Sequence, residues 1–303
     1  MYQYDVQVSR RIRLIINTDA KNEADDQFCV VHACLTPKFD IRGIIGAQFG
    51  TRRTQQSMQE SVDECKTLMD LMDDRTTPVF CGAKGEIKSE TDYEYSEGAR
   101  LIVEEAMKEE DSKLYVIFLG PLTDLACAYL HSPEIAGRLT AIWIGGGAYP
   151  KGGWEFNLSN DIKAANVIMG SGIELWQVPM DVYTRMLVSY AELEEKVRPY
   201  GKIGRYLFDQ MMEFDASIPG REGWPSGESW SLGDSPTIGI LLNPQPFLSH
   251  EQEAPVISEE DMTYSFTGQG RKIRVYHDVN SRFILEDMFA KLKLTYGGER
   301  QEG

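Results

Sequence analysis

The residues of this chain best suited to chemistry sit together near its start, in Asn17-Thr18-Asp19-Ala20-Lys21-Asn22-Glu23-Ala24-Asp25-Asp26. Four acids fall within eight residues there, directly after the apolar burst Arg13–Asn17 and at the start of a helical pattern. The carboxyl end of a strand is where open α/β sheets put their sites. Asp25 and Asp26 alone would be ordinary first-turn residues that complement a helix dipole. Asp19 at the strand tip is not covered by that explanation. Clustered carboxylates repel one another unless a cation lies between them, and hard oxygen ligands suit Ca²⁺ or Mg²⁺. The segment therefore reads as a divalent metal site.

The elements that must position it follow from the apolar periodicity. Strand-like bursts alternate with amphipathic stretches, the pattern of βαβ units on a mostly parallel sheet with helices on both faces. Strands are predicted at Arg13–Asn17, Ile41–Ala47, Val79–Cys81, Leu114–Leu119, Ala141–Ile144, Leu175–Val182 and Tyr276–Val279. Helices are predicted at Asp26–Leu35, Thr54–Leu71, from a Ser96 cap through Met107, and at Leu122–Tyr129. Others follow at Asp161–Ser171 with Gly172 as a left-handed cap, Ala191–Val197, Ile203–Phe214 and Phe283–Leu292. A Gly/Pro/Trp-rich loop spans 217–236, and the tail from Gly297 is expected to fray.

Composition narrows the function. With 31 basic and 47 acidic residues among 303, the formal charge is −16, which argues against a nucleic-acid binder that tracks phosphates. No apolar run nears the ~20 residues of a membrane span, and the N-terminus lacks a signal-peptide pattern. The five cysteines form no C-x-x-C pair and read as buried, reduced thiols. A cytoplasmic protein is expected.

With these residues in view, the chain resembles the inosine–uridine-preferring nucleoside hydrolases. NTDAKNEADDQF is similar to that family's D-x-D-P-G-x-D-D signature, with Asp19 at the second Asp and Asp25-Asp26 at the terminal pair. Asn17 replaces the first Asp, the Pro-Gly step is absent, and the intervening segment is two residues longer, which leaves Glu23 as an alternative register. IRGIIGAQFGT resembles the second strand, with Thr51 where the family has Asn. LGPLTDLACAYL resembles the G-P-L-T-N-L-A block with Asp124 for Asn, and IWIGGGAY the M-G-G strand end. EFNLSNDIKAA resembles the E-F-N-x-x-x-D-x-x-A-A block. GDSPTIGILL resembles the H-D-P block, with Asp234 for its Asp and Gly233 for its His.

The resemblance implies one domain over 1–303 with the Rossmann-like nucleoside hydrolase fold. It implies an N-ribohydrolase acting on a nucleoside or related ribosyl compound, with Ca²⁺ held by Asp19, Asp26, the Leu119 carbonyl and Asp234. Asp25 would be the general base on a water at that metal, and Glu155 and Asn157 would bind ribose hydroxyls. Each has a plainer reading as well: Asn157 as a turn residue, Asp234 as a helix-start acid before Pro236, Thr51 as a helix cap or a sugar ligand. The missing His at Gly233 removes a candidate leaving-group acid, and His32, His131, His250 and His277 offer no substitute. Trp154, Tyr149, Trp224 and Trp230 are candidates for a wall facing the base, with Trp230 the one named for stacking. The family further implies a homodimer or homotetramer.

Two other readings compete. A non-catalytic, metal-dependent sugar- or nucleoside-binding module accommodates the departures at Gly233 and Thr51. A haloacid-dehalogenase-type phosphatase also starts with a strand ending in acids, but needs its first Asp where Asn17 stands.

Overall fold

The computed structural model describes residues 2–218 and 227–299. Twelve strands and eleven helices are assigned among them. In chain order they begin β1 (Ile12–Thr18), α1 (Asp26–Cys34), β2 (Phe39–Gly46), α2 (Ser57–Leu71), β3 (Val79–Cys81), α3 (Glu97–Met107), β4 (Leu114–Phe118) and α4 (Thr123–His131). Next come β5 (Leu139–Ile144), α5 (Phe156–Ser159), α6 (Ile162–Gly170), β6 (Glu174–Val178), α7 (Met180–Tyr183), β7 (Leu187–Ser189), α8 (Tyr190–Lys196), α9 (Gly201–Ser217), β8 (Ser229–Ser231) and α10 (Pro236–Leu242). The chain closes with β9 (Ser249–Glu253), β10 (Val256–Ile257), β11 (Tyr264–Ser265), β12 (Lys272–Tyr276) and α11 (Ser281–Tyr296).

Eight strands form the central sheet in the order β3-β2-β1-β4-β5-β6-β12-β9, and only the β12–β9 pair is antiparallel. The mostly parallel α/β expectation holds. Its physical basis is visible in β1, where successive side chains enter opposite layers. Leu14 and Ile16 pack with Phe28 of α1 and Ile284 of α11, whereas Ile15 packs with Ile102 of α3, Leu125 of α4 and Ile168 of α6. Strands covered on both faces must be apolar throughout, and β5 is buried along its whole length.

Strand order reverses beside β1, which has β2 on one side and β4 on the other. A crevice opens at the carboxyl ends of such strands, and Asp19 and Leu119 follow β1 and β4 directly.

Several boundaries differ from the sequence expectation. The run Leu175–Val182 is strand only to Val178; Pro179 then starts the helical turn α7, since proline cannot donate to a ladder. The strand expected at Tyr276–Val279 lies earlier, at Lys272–Tyr276. Gly172 is not a left-handed cap, because α6 ends in an extended Ser171 and Gly172 has no positive φ. Part of the 217–236 loop forms β8, paired with β7. Ser96 does cap α3, accepting from the Ala99 amide at 2.9 Å. The cysteines are all free, three of them buried, and no described helix is long and apolar enough to cross a membrane.

Candidate active site

The segment after β1 coils back on itself before α1 starts. Asn22 donates to Asp19 twice, through its amide nitrogen to the carbonyl at 2.8 Å and through Nδ2 to Oδ2 at 3.1 Å. Thr18, the last residue of β1, donates to Asp26 Oδ1 at 2.5 Å. Those bonds pin both ends of the longer NTDAKNEADD segment, which needs no Pro-Gly turn to return its acids to the strand tip. Gly120 lies against Asp19 so closely that a Cβ there would stand 2.7 Å from Oδ1. Only glycine admits that approach.

Asp25 sits at the N-cap of α1, where its carbonyl receives the amides of Phe28 and Cys29. Its carboxylate faces the backbone N–H groups of Gly233 and Asp234, in the turn that leads into α10, closely enough for them to draw its pKa down. Residues 208 positions apart in sequence thus meet at one carboxylate. Asp25, Asp26 and Asp234 bring ligand oxygens within 4.8 Å of one another. Asp19 lines the same pocket, as do Asn22, Glu23, Leu119, Ile144, Glu155, Phe156, Asn157, Tyr183 and Gly233.

The far wall comes from β5 and α5. Glu155 is fully buried at the N-cap of α5, accepting from the amides of Gly146, Asn157 and Leu158 and from the Tyr183 hydroxyl at 2.7 Å. Asn157 donates from Nδ2 to the carbonyls of Leu119 at 2.7 Å and Ile144 at 2.9 Å. It thereby ties together the ends of β4 and β5.

The electrostatics are those of a carboxylate cluster in which, among the described residues, only Glu23 feels a nearby cation, Arg53. Burial, and then repulsion from Asp26, holds the Asp19 carboxyl well above its ordinary range. Burial followed by repulsion from Asp25 does the same for Asp26, Glu23 and Asp234. Asp25 rises less, to about 6, because burial is offset by the backbone N–H groups around its carboxylate. No Lys or Arg lines the pocket among the described residues, and the nearby Lys21 ammonium turns away to Glu64 at 3.0 Å. Buried charges are tolerated when paired or when they ligate a metal. An oxygen-only donor set of this kind fits a hard divalent cation.

Two expected residues lie elsewhere. Thr51 is exposed and outside the lining, just past Gly50 at φ +74°. Trp230 is 0 % exposed. Its Nε1 donates to Glu23 Oε1 at 3.1 Å and its ring meets Phe214 edge-on, so it leaves no open face for a base and fixes Glu23 instead. Trp224 falls outside the described residues. Tyr149 donates to Gln177, away from the lining, while Trp154 is 54 % exposed and packs edge-on against Phe156.

Tyr183 and Phe156 were not singled out from the sequence. Tyr183 lies just past the strand expected at Leu175–Val182, and only the turn at Pro179 brings it round to Glu155. No histidine lines the pocket: His32 bonds Asp287, His131 stacks on Tyr95, and His250 stacks on His277.

Residues 14–286 match the family model of the inosine-uridine preferring nucleoside hydrolases. The chain belongs to that family. As a nucleoside hydrolase it is an N-ribohydrolase, a hydrolase of ribonucleoside N-glycosidic bonds, and the family assignment sets the phosphatase reading aside. It is 23 % identical over 302 residues to the pyrimidine-specific ribonucleoside hydrolase RihA of Escherichia coli K12, covering 89 % of this chain and 95 % of the relative. Solved structures with the same fold include a plant nucleoside hydrolase, PpNRh1, at TM-score 0.75 and 17 % identity, covering 93 % of this chain and 98 % of that one. Another is the purine-preferring ribonucleoside hydrolase of Gardnerella vaginalis, at TM-score 0.74 and 18 % identity, covering 94 % and 99 %.

Proposed function

We propose that this nucleoside hydrolase cleaves its substrate with Asp25 as general base and a Ca²⁺ ion held by Asp19, Asp26, Asp234 and the Leu119 carbonyl. The observation that carries this reading is the convergence of Asp19, Asp25, Asp26 and Asp234 on one buried, cation-free pocket beside Glu155 and Asn157. Bound there, the ion would compensate the clustered charge, polarise the attacking water and orient ribose hydroxyls.

The chain's own groups supply the remainder. Asp25, which faces the Gly233 and Asp234 amides, takes a proton from the water as its oxygen attacks C1′ of the ribosyl group. The N-glycosidic bond breaks with its electron pair moving to the base. Positive charge that develops on the sugar faces Asp19, Asp26 and Glu155, and preorganised negative groups favour that oxocarbenium-like state. Asn157 is already oriented by two carbonyls and Glu155 by three amides and a phenol, so both meet the ribose with little reorganisation.

Relatives named pyrimidine-specific and purine-preferring both share the fold, so we leave the base of the substrate general. The test is ribose release from purine and pyrimidine nucleosides and from p-nitrophenyl riboside, with Ca²⁺ and with chelator. Calcium-dependent cleavage is expected, including the nitrophenyl riboside, whose leaving group needs no acid. Silence across the panel with metal shown bound would turn the reading toward a binding module.

A further inference from the structure

The rim of the pocket reverses the charge of its interior. The loop after β2 carries Arg52 and Arg53, both exposed, in a chain whose formal charge is −16. Some arginines elsewhere meet acids, as Arg11 meets Asp5, Arg13 meets Glu105, and Arg42 meets Asp40 and Glu110, while Arg271 and Arg274 serve carbonyls and an indole ring. Among the described residues neither Arg52 nor Arg53 has a carboxylate within 4.0 Å, and Arg53 acts on Glu23 only across a longer distance.

Both are nevertheless tied to the wall of the pocket. Arg53 donates to the carbonyl of Asn22, a lining residue, and its guanidinium lies 5.4 Å from the Phe214 ring centre. Arg52 donates to Ser159 Oγ at 3.3 Å, at the end of the short helix α5 that begins with the lining residues Phe156 and Asn157. Each planar guanidinium carries five donors, and these bonds use few of them.

We propose that the ribosyl substrate of this site carries a phosphate ester, received at the rim by Arg52 and Arg53. The inference rests on the hydrolase reading above and names its substrate class as a nucleotide or other phosphorylated riboside. Arginine suits that task because its donors match phosphate oxygens in pairs. A pocket lined by carboxylates repels an anion, so a local basic pair is what admits one.

The test compares kcat/KM for uridine and inosine with that for their 5′-, 3′- and 2′-monophosphates, with p-nitrophenyl riboside as reference. At least one monophosphate is expected to be preferred tenfold or more over its nucleoside. Arg52→Gln and the Arg52→Ala/Arg53→Ala double variant should reduce that preference at least tenfold, through KM, at an unchanged thermal midpoint. Equal or poorer cleavage of every monophosphate, or a preference untouched by the substitutions, overturns the proposal while nitrophenyl riboside cleavage leaves the hydrolase reading standing. If no riboside is cleaved, the hydrolase reading fails. The rim is then judged by calorimetry: ribose 5-phosphate must bind at least tenfold more tightly than ribose, and lose that margin in Arg52→Gln, or the proposal falls too.

Discussion

The Asn17 side-chain amide donates to the Asp124 carboxylate at 2.9 Å, linking the tip of β1 to the first turn of α4. These are two positions at which the chain departs from its family's motifs, Asn for Asp in the first and Asp for Asn in the second. The two departures meet in one hydrogen bond, although Asn17 Oδ1 is buried without a partner. Asp124 completes its bonding with the Ala83 amide and the Ser96 hydroxyl, at 2.8 and 2.6 Å. Asn17 therefore costs the pocket no ligand; Asp19, two residues on, lines it instead.

That pairing makes a double-mutant prediction. Asn17→Asp alone sets two buried carboxylates against each other, and Asp124→Asn alone removes the charge that Ser96 and Ala83 meet. The double exchange restores one amide facing one carboxylate. We expect both single variants to unfold at lower denaturant and the double to recover, with a coupling of roughly 1–3 kcal/mol. Additive losses in urea titrations would contradict the pairing.

Asp25→Asn keeps the shape of the N-cap and its backbone contacts but removes the base. Turnover of nitrophenyl riboside should fall by about 10²–10⁴-fold, with calorimetric Ca²⁺ affinity largely intact. Near wild-type turnover would show the assignment of the base to be wrong.

Removing a carboxylate from the metal set should act in opposite directions on two measurements. Asp19→Ala or Asp234→Ala should weaken Ca²⁺ binding by at least about tenfold, and undiminished affinity would overturn the ligand set. In chelator, Asp234→Asn should raise the thermal midpoint at neutral pH, because one of the mutually repelling buried charges is gone.

The pH dependence of stability has a defined sign. Asp25 and Asp161 are both raised to about 6 by burial, so the folded chain binds more protons than the unfolded one between about pH 4 and 6. Their contribution is present below the unfolded pKa and lost as pH rises through about 6. Metal-free protein should melt higher at pH 5 than at pH 7.5. Added Ca²⁺ should raise the midpoint more at pH 7.5, where it need not displace protons. A metal-free midpoint that climbs from pH 5 to 7.5 would refute this account.

Gly233→Ala tests how tightly the base is held. A Cβ there would stand 3.0 Å from the Tyr183 ring and 3.3 Å from Asp25 Oδ2. One of the two must shift by a few tenths of an ångström. Displacements near an ångström cost up to ~10²-fold in rate, so we expect a several-fold to tenfold drop in kcat with the fold intact by circular dichroism. An unchanged kcat would show that the cleft relaxes freely at this point.

Much of the molecule was legible in the amino-acid order, because local pattern carries it. Continuous apolar runs such as Leu114–Leu119 and Ala141–Ile144 mark strands covered on both faces, and Ser96 marks a helix start. The acids after β1 mark a candidate cation site, since clustered carboxylates repel one another unless a cation lies between them. What the order could not convey was contact between distant segments. The Gly233 and Asp234 amides reach Asp25, Tyr183 reaches Glu155, and Asn17 reaches Asp124 only once the sheet is assembled. Trp230 illustrates the same limit: an indole suited to stacking on a base is instead enclosed, with its nitrogen on Glu23. Residue type decides which interactions a side chain is capable of, and packing decides which of them it has neighbours to make.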